Sequence, residues 1–90
     1  MPRVTISYSL TGGPRMDAEA EVEVERIDHL AGTRIGIDSR AGREIAELLG
    51  PGYMEKGFHL RDGKTVFHGC RIVRTTPGEG FTVDYFMVEK

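Results

Sequence analysis

The sequence predicts a mainly β (α+β) fold: a five- or six-stranded antiparallel sheet, arranged as a sandwich or small barrel, with one short central helix. Three observations carry this expectation. Apolar and polar residues alternate from Val4 to Leu10 and again from Ala18 to Glu25, the period of two expected of half-buried strands. Lys64 to Thr75 and Phe81 to Glu89 are rich in Val, Ile, Phe and Tyr, the residue types that suit a pleated surface. Only one segment, around Ala41 to Leu49, shows a helical period.

The first strand places Val4, Ile6, Tyr8 and Leu10 on one face and ends at Thr11-Gly12-Gly13-Pro14, because proline has no donor for a ladder. Ala18, Ala20, Val22 and Val24 then alternate with Glu19, Glu21, Glu23 and Glu25. This second strand pairs naturally with the first as a hairpin, and a one-residue slip would bury four glutamates, so its register is strongly specified. Gly32 and Gly36 bracket a short third strand with Ile35 and Ile37 facing inward.

Ala41, Ile45, Leu48 and Leu49 fall at i, i+4, i+7 and i+8 and form one apolar stripe. Asp38 or Ser39 can cap the start of this helix, and Gly50-Pro51 stops it. A helix of about 11 residues is not stable alone and must lie against the sheet. Phe58 and Leu60 begin a further strand that ends at Asp62-Gly63, a dipeptide suited to a type I′ hairpin turn. Lys64 to Thr75 and Phe81 to Glu89 complete a meander around the loop Thr76-Pro77-Gly78-Glu79-Gly80. The order of elements has no strand-helix-strand rhythm, which argues against a doubly wound parallel fold.

A chain of 90 residues makes a single domain, residues 1–90, with a small core, since folding at this size buries only about 60% of the unfolded surface. Cys70 is the only cysteine, so no internal disulfide reinforces it. Association with further copies is the remaining reinforcement, and a lone cysteine fits a cytoplasmic location. No apolar run approaches the roughly 20 residues of a membrane helix, so no membrane partner is expected.

Candidate sites emerge as faces, and no reaction centre stands out. The glutamate row Glu19, Glu21, Glu23 and Glu25 reads as a solvated sheet face or as an acidic interaction surface. Arg61, Lys64, Arg71 and Arg74, with Phe58 and Phe67 close in sequence, are the residue types of a single-strand-binding sheet, in which aromatics stack on bases and cations follow phosphates. Strict alternation, however, would set Arg71 and Arg74 on opposite faces. The net charge of −2 gives no general attraction for nucleic acid. His68 and Cys70, two apart on one strand, would share a face, with His59 within reach across the turn. Their spacing matches no common zinc pattern, and a packed strand face is the simpler reading. No nucleophile elbow, phosphate loop or convergent carboxylate pair is present, so the sequence predicts no catalytic, metal or cofactor site and no enzyme.

From residue 31 onward the layout resembles that of small tailed-phage virion proteins of the head-tail joining (stopper or adaptor) and tail-tube type. The stretches that carry the resemblance are Ala31 to Asp38 running into Ser39-Arg40-Ala41-Gly42-Arg43-Glu44, then Asp62 to Ile72, then a closing strand to Lys90. The resemblance carries no catalytic or binding residue with it. It implies a ring-forming building block assembled into a virion, in which the loops at Thr11 to Met16 and Thr76 to Gly80 touch neighbours and the acidic face lines a DNA passage. The functional expectation is therefore a non-enzymatic assembly protein that associates with itself through protein–protein contacts. A small nucleic-acid-binding β-barrel and a small acidic protein inhibitor are the alternatives.

Overall fold

The computed structural model describes residues 2–76 and 80–90. Its strands are β1 (Arg3–Tyr8), β2 (Ala18–Glu23), β3 (Ile27–His29), β4 (Arg34–Ile37), β5 (Phe58–Asp62), β6 (Thr65–Thr76), β7 (Gly80–Asp84) and β8 (Met87–Glu89); helix α1 spans Ser39–Leu49 and a 3-10 turn spans Tyr53–Glu55. The strands form one antiparallel sheet in the order β2-β1-β5-β6-β7-β4-β3, and β8 continues beside β6 beyond the end of β7. The fold is therefore β-rich with one central helix, as the sequence predicts.

The hairpin β1–β2 has the register its pattern demands: Val4 faces Val22 and Ile6 faces Ala20, which leaves Glu21 and Glu23 opposite Thr5 and Arg3. Two strands exceed the expected six. The short β3 pairs with β4, and the closing strand is interrupted at Tyr85-Phe86 to give β7 and β8. The β5–β6 turn also differs from expectation. Asp62 pairs with Thr65, so the central pair is Gly63-Lys64. Only Gly63 has positive φ, at 62°, the pattern of a type II′ turn and not of type I′. The expected loop at Thr76 to Gly80 falls largely on residues 77–79, which lie outside the described residues.

Strand β6 belongs to both halves of the sheet and is twice bulged. Phe58 faces Cys70 and Leu60 faces Phe67, so β6 holds one residue more than β5. Gly69, at φ 66°, absorbs it, as glycine does without steric penalty. Farther on, Ile72 faces Val83 and Arg74 faces Thr82, so Val73 is extra relative to β7. Each bulge bends the strand and resets which residues face inward.

Seven strand positions at about 4.8 Å spacing would make a broad sheet with two open faces. Instead the sheet curls about one cluster that joins Val4, Ile6, Val22, Ile35, Phe58, Leu60, Phe67, Cys70, Ile72 and Val83 with Ala41 and Ile45 of α1, in a body of 30 × 29 × 26 Å. The edge strands β2 and β3 follow one another in the chain, yet no ladder joins them among the described residues. Asp38 closes this seam. Its Oδ1 accepts the backbone N–H of Glu25 (2.9 Å) and Arg26 (3.3 Å). Its Oδ2 accepts the N–H of Ala41 (3.2 Å) and caps α1. The helix packs on β7 and β2, ends at Gly50 as expected, and has its last turn held by Lys56 Nζ, which donates to the Leu49 carbonyl at 2.8 Å. No helix among the described residues is long and apolar enough to cross a membrane.

Close approach of α1 to β7 depends on Gly42, where an added Cβ would run into the ring of Phe81. Gly42→Ala is expected to destabilise the fold by about 1–2 kcal/mol, overpacking of about 1–3 kcal/mol outweighing a helix-propensity gain of about 1 kcal/mol. Urea unfolding measures the difference, and a stabilised variant would show that the helix stands farther from β7.

Candidate interaction surfaces

His59 projects from the outer face of β5 and His68 from that of β6. Their ring centroids lie 5.2 Å apart at 73°, and His68 Nε2 is 2.9 Å from Oε1 of Glu89 on β8. The Gly69 N–H donates to His59 Nδ1 at 3.4 Å. Burial and the neighbouring His68 lower the His59 pKa from its ordinary 6.5. Cys70 does not share this face. The Gly69 bulge turns it inward opposite Phe58, where it is fully buried and its thiol donates to the Phe67 carbonyl at 3.2 Å. The expectation that His68 and Cys70 share a face is thus overturned, because the rule of two fails across a bulge. No group of three His, Cys, Asp or Glu among the described residues is placed to hold a metal ion.

Glu19, Glu21 and Glu23 lie on the outer face of β2, and Glu25 follows the strand end, exposed. Cations interrupt this row. Arg3 approaches Glu21 at 3.3 Å and Glu23 at 3.6 Å, and Arg40 approaches Glu23 at 3.6 Å. These are exposed pairs worth at most about 1 kcal/mol each. They nonetheless reduce the acidity of the face that the sequence alone presents as bare.

The four basic residues divide into two places. Arg61 lies on β5 opposite Thr5 and Val66, and Lys64 occupies the neighbouring turn. Arg71 and Arg74 stand on the far half of β6, where Arg71 faces Asp84 and Arg74 faces Thr82. Asp84 and Thr82 are two apart on an unbulged strand whose Val83 is buried, so both point outward. Arg71 and Arg74 therefore share the outer face, contrary to the expectation of opposite faces, because Val73 is the bulged residue between them. Phe58 and Phe67 are 0% and 2% exposed; they belong to the core and offer no stacking surface.

Two features escaped the sequence reading. Arg34 joins the outer face of Arg71, since it too stands opposite Asp84, from the other side of β7. The second feature is the apolar run Phe86, Met87 and Val88, which is 83%, 49% and 37% exposed. It follows the interruption at Tyr85-Phe86, where the Phe86 N–H donates to the His68 carbonyl at 2.8 Å and the Tyr85 N–H to the Thr33 carbonyl at 2.9 Å. Tyr85 turns edge-on to Phe67 at 5.1 Å, leaving Phe86 outside. Arg71, Val73, Asp84, Tyr85 and Phe86 line an outer cleft of about 490 Å³. The residue types of Tyr85-Phe86-Met87 continue those of the strand before them and carry no turn residue at the break.

Compared with known proteins, the chain matches no family model, no curated protein and no solved structure.

The lowered His59 pKa has a definite sign. Between the folded and unfolded values the unfolded chain binds more protons, so stability is complete above about pH 6.5 and declines as pH falls through the folded value. Urea midpoints measured from pH 8 down to about pH 5 should fall below the ordinary histidine range. His59→Gln should show a shallower decline, and identical slopes would contradict the lowered value.

Proposed function

We propose that the protein acts through contact with other protein chains, as a self-associating assembly block of the kind found among phage head-tail joining and tail-tube proteins, and not as an enzyme. The observation that carries this reading is β8. It pairs only with β6 among the described strands and presents three consecutive apolar residues at the surface. Natural edge strands are commonly blunted with lysine, proline or a covering loop, because an unpaired ladder invites another strand. β8 is short and ends at the charged pair Glu89-Lys90, but its free edge begins at the exposed apolar pair Phe86 and Met87. A strand added from a second copy would satisfy the main chain and cover these side chains together. The patch is small against the roughly 1,200–2,000 Å² of a standard interface, so pairing through β8 alone gives a weak, concentration-dependent complex that further contacts would strengthen.

Light scattering over a concentration series tests this reading. The molar mass should rise above that of one chain as concentration increases. Met87→Lys, which places a charge at the free edge, should weaken the association about tenfold, or about 1.4 kcal/mol. A strictly monomeric chain at high concentration would contradict the proposal.

A further inference from the structure

The outer face of the β4–β7–β6 region carries a net positive charge beside an exposed aromatic ring. Two rows cross it: Arg34, Asp84 and Arg71 in one, and Gly36, Thr82 and Arg74 in the next. The three arginines are exposed and make no ion pair among the described residues. Asp28, at the end of the second row opposite Gly36, is already paired with Arg26 at 2.7 Å. Asp84 is the one carboxylate in the first row, and the Thr33 hydroxyl donates to it at 2.8 Å. Acidic β2 is separated from β6 by β1 and β5 and, across the Asp38 seam, from β4 by β3. The overall negative charge therefore does not describe the field at this face.

We infer that this face binds single-stranded nucleic acid, with the phosphates meeting Arg34, Arg71 and Arg74 and a base stacked on Phe86. Arg71 and Phe86 line the same cleft, so a phosphate and its neighbouring base can be engaged together. That combination of a cationic track and an open aromatic is the physical requirement for sequence-tolerant single-strand binding. The geometry favours a single strand over a duplex, whose bases are already stacked on one another and have no face to offer Phe86. It also favours nucleic acid over a purely acidic chain such as polyglutamate, which would satisfy the guanidinium groups and leave the 83% exposed ring in water. The arginines lie apart from β8, but Phe86 belongs to both surfaces, so a second copy seated on β8 and a bound base would compete for the ring.

Fluorescence anisotropy with a labelled oligothymidylate, over a series of monovalent salt concentrations, tests the inference. The protein should bind at low salt, and the log of the affinity should fall against log salt with a slope of about −2, from three phosphate contacts at about 0.7 each. Arg71→Glu combined with Arg74→Glu should abolish binding. Phe86→Ala should weaken it about tenfold while leaving the salt slope unchanged. Arg61→Glu combined with Lys64→Glu, on the other half of the sheet, should have little effect. All these positions are exposed, and a thermal melt of each variant confirms that it is folded. Absence of binding by the native chain at low salt overturns the inference, as does an equal loss in the Arg61 and Lys64 variant. Equal binding of polyglutamate with no response to Phe86→Ala would also overturn it and assign the face to an acidic protein. Light scattering separates the two proposals: a chain that binds yet stays monomeric at high concentration contradicts only the assembly reading, and a chain that self-associates at high concentration but does not bind where it is monomeric contradicts only this one.

Discussion

Strand β6 is the constraint on which the rest of the structure depends. It spans twelve residues, Thr65–Thr76, long for a strand in a domain of this size, and serves as the common member of both halves of the sheet. A straight strand of that length would run along a broad open sheet. The bulges at Gly69 and Val73 bend it, so the sheet formed with β5 and β1 and the sheet formed with β7 and β4 close over one core. The same two residues decide which side chains enter that core. Phe67, Cys70 and Ile72 are all buried, a spacing of three and then two that no regular strand could provide.

Packing elsewhere follows from that bend. Curling brings β2 and β3 to the two sides of a seam that no backbone ladder closes, and the Asp38 carboxylate spans it by holding backbone donors from the β2–β3 connection and from α1 together. The helix covers the end of the curled sheet, its approach limited by Phe81 at Gly42. Among the described residues none that is polar or charged is buried, and charge is left to the outer surface. There the bulges act again. Without the extra Val73, Arg71 and Arg74 would point in opposite directions and the cationic face would not exist. Without the break opposite Gly69, Phe86 would not stand free of the sheet. An added Cβ at Gly69 would come within 2.9 Å of the Phe86 Cβ, so the two features fit only as a pair. Fold and proposed surfaces thus share one cause.

Much of the fold was legible in the sequence where a period runs unbroken. The alternation in β1 and β2 specified their register, because four glutamates could not be buried. The stripe from Ala41 to Leu49, with Asp38 before it and Gly50 after it, marked both ends of α1. The pairing of β6 with the closing strand followed from their composition. Legibility failed wherever the period was interrupted. Three residues, Ile27-Asp28-His29, are too short to show alternation, so β3 was missed. His68, Cys70, Arg71 and Arg74 were assigned faces by counting in twos across a bulge, which inverts the answer. Gly69 inside an otherwise β-branched run is the one sequence feature that could have warned of it, since an interior strand glycine commonly marks a bulge. The candidate surfaces were less legible than the fold, because Arg34 and Phe86 acquire meaning only from which strands lie beside them.

Cys70 offers the most direct reading of the β6 geometry, because its position depends on the bulge and its thiol is a chemical probe. With Gly69 bulged, the thiol lies in the core, and burial pushes its pKa up to about 12 from an ordinary 9.0, so it has neither the access nor the thiolate that reaction requires. Counting in twos from buried Phe67 would instead put it outside. In the native protein at about pH 8, where a free thiol is partly ionised, a disulfide reagent such as dithiobis(nitrobenzoate) should leave Cys70 unmodified until denaturant unfolds the chain. Reaction at the rate of a free thiol in the folded protein would contradict the bulge at Gly69, and with it the bend that closes the sheet over one core.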